Sequence, residues 1–161
     1  MKLRTLLLLL PAAAFWLLAM EGIHRGSEGP WHDECARLWK DSHWRELQSL
    51  ADNLWAVGDC DSESLFFAVL ASGPLQEHAR AQIHAARYLK TRALNWNRET
   101  RIRPLFQPPG LRQRIGLYRA HLAYALLILI TVLNFGSFLA RADLLPWTCF
   151  ISALGCIILL L

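Results

Sequence analysis

His32, Asp33, Glu34 and Cys35 form the densest run of side chains that could hold a metal or move a proton. A zinc site needs about four ligands in suitable geometry. His32 and Cys35 stand one helical turn apart, and His43 joins them only if the chain folds back. Asp33 and Glu34 equally suit the first turn of a helix, where carboxylates meet the positive end of the helix dipole. The run is therefore read as a helix start, and no metal ligand is assigned. His78 and His84 fall on different faces of one helix, and Tyr118 and His121, one turn apart, read as an interfacial polar pair. There is no glycine-rich phosphate loop, no G-x-S-x-G, no H-E-x-x-H and no C-x-x-C. No catalytic residue and no cofactor is assigned, and the chain reads as a non-enzyme.

The elements that surround these residues are unusual in composition. Hydrophobic residues make up 54% of the 161 and charged residues 19%, against about 45–50% and about 25% in a soluble globular chain. The excess lies in 6–20, 122–140 and 144–161. This argues against an ordinary soluble enzyme and against intrinsic disorder. Residues 122–140 carry no charge over 19 positions, enough for a helix of about 28 Å against a hydrocarbon core of about 30 Å. Residues 144–161 are also uncharged. Only Arg141, Ala142 and Asp143 separate the two, which predicts a helical hairpin. Lys2 and Arg4 precede the first apolar run, the pattern of a signal anchor or a signal peptide. Leu18-Ala19-Met20 makes a poor cleavage site and favours the anchor, while Pro11 favours a cleaved signal.

The middle of the chain divides by charge. Residues 21–77 hold four Lys/Arg and eleven Asp/Glu, a net of −7, and 78–119 hold ten Lys/Arg and one acid, Glu99, a net of +9. Either the acidic half packs on the basic half, or the basic half faces anionic headgroups or solvent. Arg101, Arg103, Arg112, Arg114 and Arg119 are the candidate headgroup contacts. Helical periodicity is clear: Trp44, Leu47, Ala51, Leu54 and Trp55 make one stripe. Gly58 ends it as a C-cap, and Asp61-Ser62 opens the next helix, whose buried side is Leu65, Phe66, Val69 and Leu70. From Gln76, Ala79, Ile83 and Ala86 form one apolar face and Ala81, His84, Ala85 and Tyr88 another. Asn95, Asn97, Pro104, Pro108, Pro109 and Gly110 predict an irregular, basic linker, with Trp96, Leu105 and Phe106 at headgroup level.

A shift of 32 residues superposes Ala36 on Ala68, Leu38 on Leu70, Asp41 on Gly73, Leu47 on Ala79 and Leu54 on Ala86. Trp31, Cys35, Leu38, Ser42, Trp44, Leu47, Ala51 and Leu54 stand where the tetratricopeptide repeat, a 34-residue helix–turn–helix, places its packing residues. The stretch 31–91 thus resembles two such repeats, without their closing proline. The order of a hydrophobic N-terminal segment, a small repeat domain and C-terminal apolar helices also resembles the membrane-tethered repeat proteins of bacterial aerotolerance operons. That resemblance implies a scaffold in the bacterial inner membrane with an extracytoplasmic repeat domain, and it brings no catalytic residue.

The expected architecture is all-α: a signal anchor over 1–20, a repeat-like helical domain over 21–96, a basic linker over 97–116 and a transmembrane hairpin over 117–161. The first helix and its basic flank place 21–116 outside the cytoplasm; the arginines before the second apolar run favour a cytoplasmic domain. Trp39, Trp44, Trp55, Phe67 and Tyr88 are candidates for a protein-binding groove or, equally, for core. Thr131, Asn134, Ser137, Ser152 and Gly155 are candidates for helix contacts in lipid, within the hairpin or with another protein. Cys35 and Cys60 either pair, as an oxidising compartment allows, or stand as separate thiols. The partners implied are other membrane or extracytoplasmic proteins and anionic lipid headgroups, not nucleic acid. The alternative function is a small accessory subunit of a larger membrane complex.

Overall fold

Short polar breaks divide the chain into helices. The computed structural model describes residues 3–106, 111–140 and 145–160, with side chains over 10–106, 114–133 and 146–160. The elements are α1 (Leu3–Gly26), α2 (His32–Lys40), α3 (Trp44–Val57), α4 (Ser62–Ala71), α5 (His78–Lys90), α6 (Trp96–Ile102), a 3-10 turn (Arg103–Leu105), α7 (Leu111–Leu117), α8 (Arg119–Ala140) and α9 (Leu145–Leu160). The protein is all-α, with no strand among the described residues.

Local signals set several boundaries. Gly58 takes the left-handed conformation (φ 78°) that lets α3 close, and the Asp59 N–H returns to the Leu54 carbonyl at 3.0 Å. Asp61 caps α4 by accepting from the Ser64 N–H at 2.6 Å. Asn95 caps α6 in the same way, accepting from the Arg98 N–H at 3.2 Å.

Apolar faces meet in three cores. Leu38, Leu47, Ala51, Ala68 and Ala71 join α2, α3 and α4. Leu65, Phe66, Val69, Ala85, Tyr88, Ile102, Phe106 and Leu117 join α4 to α5, α6 and α7. Phe15, Ala19, Ala120, Ala123, Ile130 and Leu159 join α1, α8 and α9, and Leu94 from the α5–α6 connection enters this third core. Both α1 and α8 pack along α9.

Glycines govern how closely these helices approach. A Cβ on Gly155 would fall 2.5 Å from the Phe15 ring, so α9 meets α1 at van der Waals contact only because that position is bare. Gly22 and Gly26, one turn apart on α1, receive Leu94 in the same manner. The Leu94 N–H donates to the Gly22 carbonyl at 2.8 Å, and Asn95 Nδ2 donates to the Gly26 carbonyl at 2.8 Å. Leu94 is 2% exposed, and burying such a side chain contributes about 1.5–3 kcal/mol.

The structure corrects several expectations. The N-terminal helix does not stop near residue 20; it runs to Gly26, and its last turns dock on Leu94. The stretch expected to be an irregular linker opens with a short helix, α6, because Ile102 and Phe106 supply apolar side chains to the second core. In α5 only the Ala81, His84, Ala85 and Tyr88 face is buried, while Ile83 is 52% exposed. Ala79 and Ala86, which a shift of 32 pairs with buried Leu47 and Leu54 of α3, are exposed, whereas a shift of 34 pairs Leu47, Ala51 and Leu54 with buried Ala81, Ala85 and Tyr88. Among the described residues no helix is long and apolar enough to cross a membrane. The 16 residues of α9 reach about 24 Å.

Gly26 is the last residue of α1, where helix propensity alone changes stability little. In Gly26→Val a Cβ would lie 2.6 Å from the Leu94 carbonyl oxygen, a backbone atom that cannot swing away. The variant should instead lose about 1–3 kcal/mol, the usual cost of overpacking. Thermal unfolding reads the sign, and a gain would show that α1 does not dock here.

Candidate functional site

Arg98 and Glu99 are neighbours on the seven-residue α6, so they project about 100° apart and reach different elements. Both are buried, at 9% and 1% exposure. Arg98 donates to Glu63 of α4 at 2.7 Å and to the Ser62 hydroxyl at 3.2 Å, and its guanidinium lies 5.7 Å from the Phe66 ring centre. Glu63 also accepts from the Gly29 N–H at 2.9 Å and faces His32 Nδ1 at 3.2 Å. The Glu63 carboxylate raises the pKa of His32 from its ordinary 6.5. The Ser62 hydroxyl donates to the Arg25 carbonyl at 2.5 Å. The end of α1, the start of α4 and α6 thus meet on one ion pair, beside an open groove of about 500 Å³ lined by Gly26, Ser27, Glu28, Glu63, Asn95 and Arg98.

Glu99 turns the other way. Its two carboxylate oxygens accept from the Ala120 N–H at 3.2 and 3.0 Å, so it satisfies one of the open N–H groups at the start of α8. Burial pushes its carboxyl up to about 8, while the Ala120 N–H and the Arg119 and Arg103 charges pull the other way. Arg119 is 4% exposed and donates to the Leu89 carbonyl at 3.2 Å; burial lowers its pKa. The Tyr88 hydroxyl is buried with no partner among the described residues, and burial raises its pKa. Outside this knot, Trp96 stacks on His121 at 4.8 Å, His121 meets Tyr118 at 6.0 Å, and Arg103 lies 4.0 Å over Tyr118.

A second ionic cluster joins α3 to α5. Asp52 accepts from Arg80 at 2.9 Å and from Arg87, which also lies 5.4 Å over the Trp55 ring. Burial would raise Asp52, but the two arginines outweigh it and hold the carboxyl below its ordinary value. His84 beneath them is fully buried with neither ring nitrogen bonded among the described residues, and burial lowers its pKa from 6.5. It packs as a neutral ring.

The five aromatic candidates separate. Trp39 meets Trp44 at 4.7 Å and Phe67 at 6.0 Å, and all three are half-buried against the first core. Trp55 packs on the second core, and Tyr88 lies inside it at 1% exposure, so Tyr88 lines no open groove. Cys35 and Cys60 are free thiols. Burial pushes Cys35 up to about 12, with the Asp61 and Glu63 charges adding to it, and burial also raises Cys60.

Among the headgroup candidates, Arg101 and Arg114 are exposed, Arg103 is half-buried on Tyr118, and Arg119 is buried, so it faces Leu89 and Glu99 and not headgroups. The Arg112 side chain lies outside those described. Of the helix-contact candidates, Ser152 is buried and donates to the Thr148 carbonyl at 2.7 Å, and Gly155 receives Phe15 of α1. Thr131 is exposed and donates to the Leu127 carbonyl at 2.8 Å. The Asn134 and Ser137 side chains lie outside those described. Among the described residues no group of three or more His, Cys, Asp or Glu could hold a metal. Sequence reading passed over Arg98 and Glu99 as a pair. The signal available was that Glu99 is the one acid in 78–119.

The folded state holds the Glu99 proton more tightly than an exposed carboxyl does, so its contribution to stability is complete below about pH 4.5 and is lost as pH rises through about 8. Unfolding temperature should therefore fall across this window more steeply in the native protein than in Glu99→Gln. Parallel curves would remove Glu99 as a titrating group. Compared with family models, curated proteins and solved structures, the chain matches none.

Proposed function

We propose that this chain is a non-enzymatic, membrane-anchored adaptor. In this reading α1, α8 and α9 lie in the bilayer and α2–α7 form an extracytoplasmic module that binds or helps assemble other membrane or extracytoplasmic proteins. The observation that carries it is where apolar surface remains exposed. Of the exposed large apolar side chains described, all but Val57, Ile83, Trp96 and Tyr118 lie on α1, α8 and α9. Leu17 is 72% exposed, Ile128 65% and Phe150 64%, on helices whose inner faces already form a core. A monomer in water rarely tolerates a continuous apolar surface of this kind.

Helices are the form in which such a segment satisfies its backbone in lipid. The 19 uncharged positions of 122–140 reach most of the way across a bilayer. A shorter α9 is accommodated by local thinning and tilt. The exposed arginines Arg101 and Arg114 then sit near anionic headgroups, each contributing on the order of 1 kcal/mol.

The adaptor role is supported by the helical array. The buried spacing of 34 between α3 and α5 equals the length of a tetratricopeptide repeat. The half-buried Trp39, Trp44 and Phe67 offer aromatic anchors of the type enriched at binding hot spots. The second reading, an accessory subunit, is favoured by Thr131, an exposed polar side chain within the uncharged run 122–140.

The adaptor should stay with membranes after an alkaline carbonate wash and be released by detergent. In intact cells Asn53→Cys, an exposed position on α3, should be labelled by a membrane-impermeant maleimide. Purification in mild detergent separates the two readings. An adaptor captures a partner through the outer module, and Trp39→Ala weakens that capture. A subunit co-migrates in fixed ratio with a large complex and is released by Asn134→Leu.

A further inference from the structure

Phe15 meets Gly155, Cys156 donates to the Pro11 carbonyl at 3.7 Å, and Leu18 and Leu159 share one cleft, so α1 and α9 run in parallel. The C-terminal ends of both helices therefore lie on the side of the α2–α7 module. The cleft between them is lined by Leu18, Glu21, Gly22, Arg25, Arg92 and Leu159. Its floor is apolar and its mouth is charged. The apolar surface continues away from the module through Leu17, at 72% exposure, and Met20, at 56%. Charge at the mouth with hydrocarbon contacts below is the vertical order of a phospholipid.

The charges are specific. Arg25 gives one nitrogen to the Thr91 carbonyl at 3.2 Å and pairs through the other with Glu21. Arg92 is exposed and makes no ion pair among the described residues; it lies close enough to the buried Arg119 for the two charges to repel. Among the described lining residues two guanidiniums stand against one carboxylate, an excess of one positive charge. The enclosed space is only about 40 Å³, so a ligand lies across the cleft and is not swallowed by it.

We infer that the α1/α9 cleft binds the phosphodiester of a monoanionic phospholipid, with Arg92 and Arg25 on the phosphate and the acyl chains along Leu18, Leu159 and the exposed apolar surface beside them. The inference rests on the membrane reading above. Glu21 stays on Arg25 and limits the site to a monoanion. Arg92 has φ 57°, a left-handed conformation that glycine adopts freely. Arg92→Gly therefore removes the charge while keeping the backbone at ease. Arg92→Asn serves as a second variant, since asparagine also tolerates this conformation.

The full chain in a neutral detergent is titrated with dihexanoyl phosphatidylglycerol, dihexanoyl phosphatidylcholine or inorganic phosphate while its unfolding temperature is followed. A ligand that binds the folded state raises that temperature. Phosphatidylglycerol should raise it, and the other two should not at equal concentration. Arg92→Gly and Arg92→Asn should need about fivefold more phosphatidylglycerol for the same rise, the worth of one basic residue at an anionic surface. Without lipid Arg92→Gly should unfold at the native temperature or above. Lys40→Gln, exposed on α2, should titrate as the native chain. Equal responses to the two lipids, a response to phosphate alone, or Arg92 variants that titrate as the native chain would each overturn the site. A chain that floats with no vesicle of either lipid, and stays monodisperse without detergent, would overturn the membrane reading itself.

Discussion

Two ionisable side chains on adjacent residues of α6, Arg98 and Glu99, are taken out of water, and each needs a different neighbour. Effective desolvation costs several kcal/mol per ion unless the charge is matched by good geometry. Arg98 finds Glu63 on α4, and Glu99 finds the open N–H of Ala120 at the start of α8. The module and the apolar three-helix layer are thereby tied through one short helix. Asn95 caps that helix and also donates to the carbonyl of Gly26, so the same residue starts α6 and ends the docking of α1. Leu94 beside it fills the space between α1 and α8. Apolar fit supplies the contact area, and the polar contacts give it one register.

The charge division of the chain acquires a meaning from this packing. Asp52 and Glu63 come from the acidic half, and Arg80, Arg87 and Arg98 from the basic half. The two halves are opposed in space and partly neutralise one another. Arg119 joins the interior for a related reason: its position directly before Ala120 carries it under the Glu99 carboxylate as α8 is capped. What remains outside, Arg25, Arg92, Arg101 and Arg114 among them, lies in or beside the connections that lead to the apolar helices.

Buried ionisable groups are engaged in holding elements together or, like His84 and Tyr88, are packed as neutral rings and bodies without bonded polar atoms. The thiols of Cys35 and Cys60 are likewise kept protonated by burial. The half-buried aromatic trio of Trp39, Trp44 and Phe67 flanks the first core on α2, α3 and α4.

Period and punctuation were enough to read much of the fold from the amino acids. The stripe of α3, the glycine that closes it, the aspartate that opens α4 and the apolar runs of α1, α8 and α9 are local properties, set by backbone sterics and by hydrophobic spacing within a few residues. The register of α5 was not local. Its two faces are similarly apolar, and only contact with α4 and α7 decides that Ala81, Ala85 and Tyr88 are inside while Ile83 is out. Nor could the fate of Arg119 be read from its neighbours, since an arginine before an apolar helix looks like a headgroup anchor until a carboxylate from 20 residues earlier arrives beside it. The sequence by itself determined the helices and the polarity of their faces. Tertiary structure alone decided which charges are buried and which glycines meet a neighbouring chain, because both depend on what the fold brings near and not on what stands next in line.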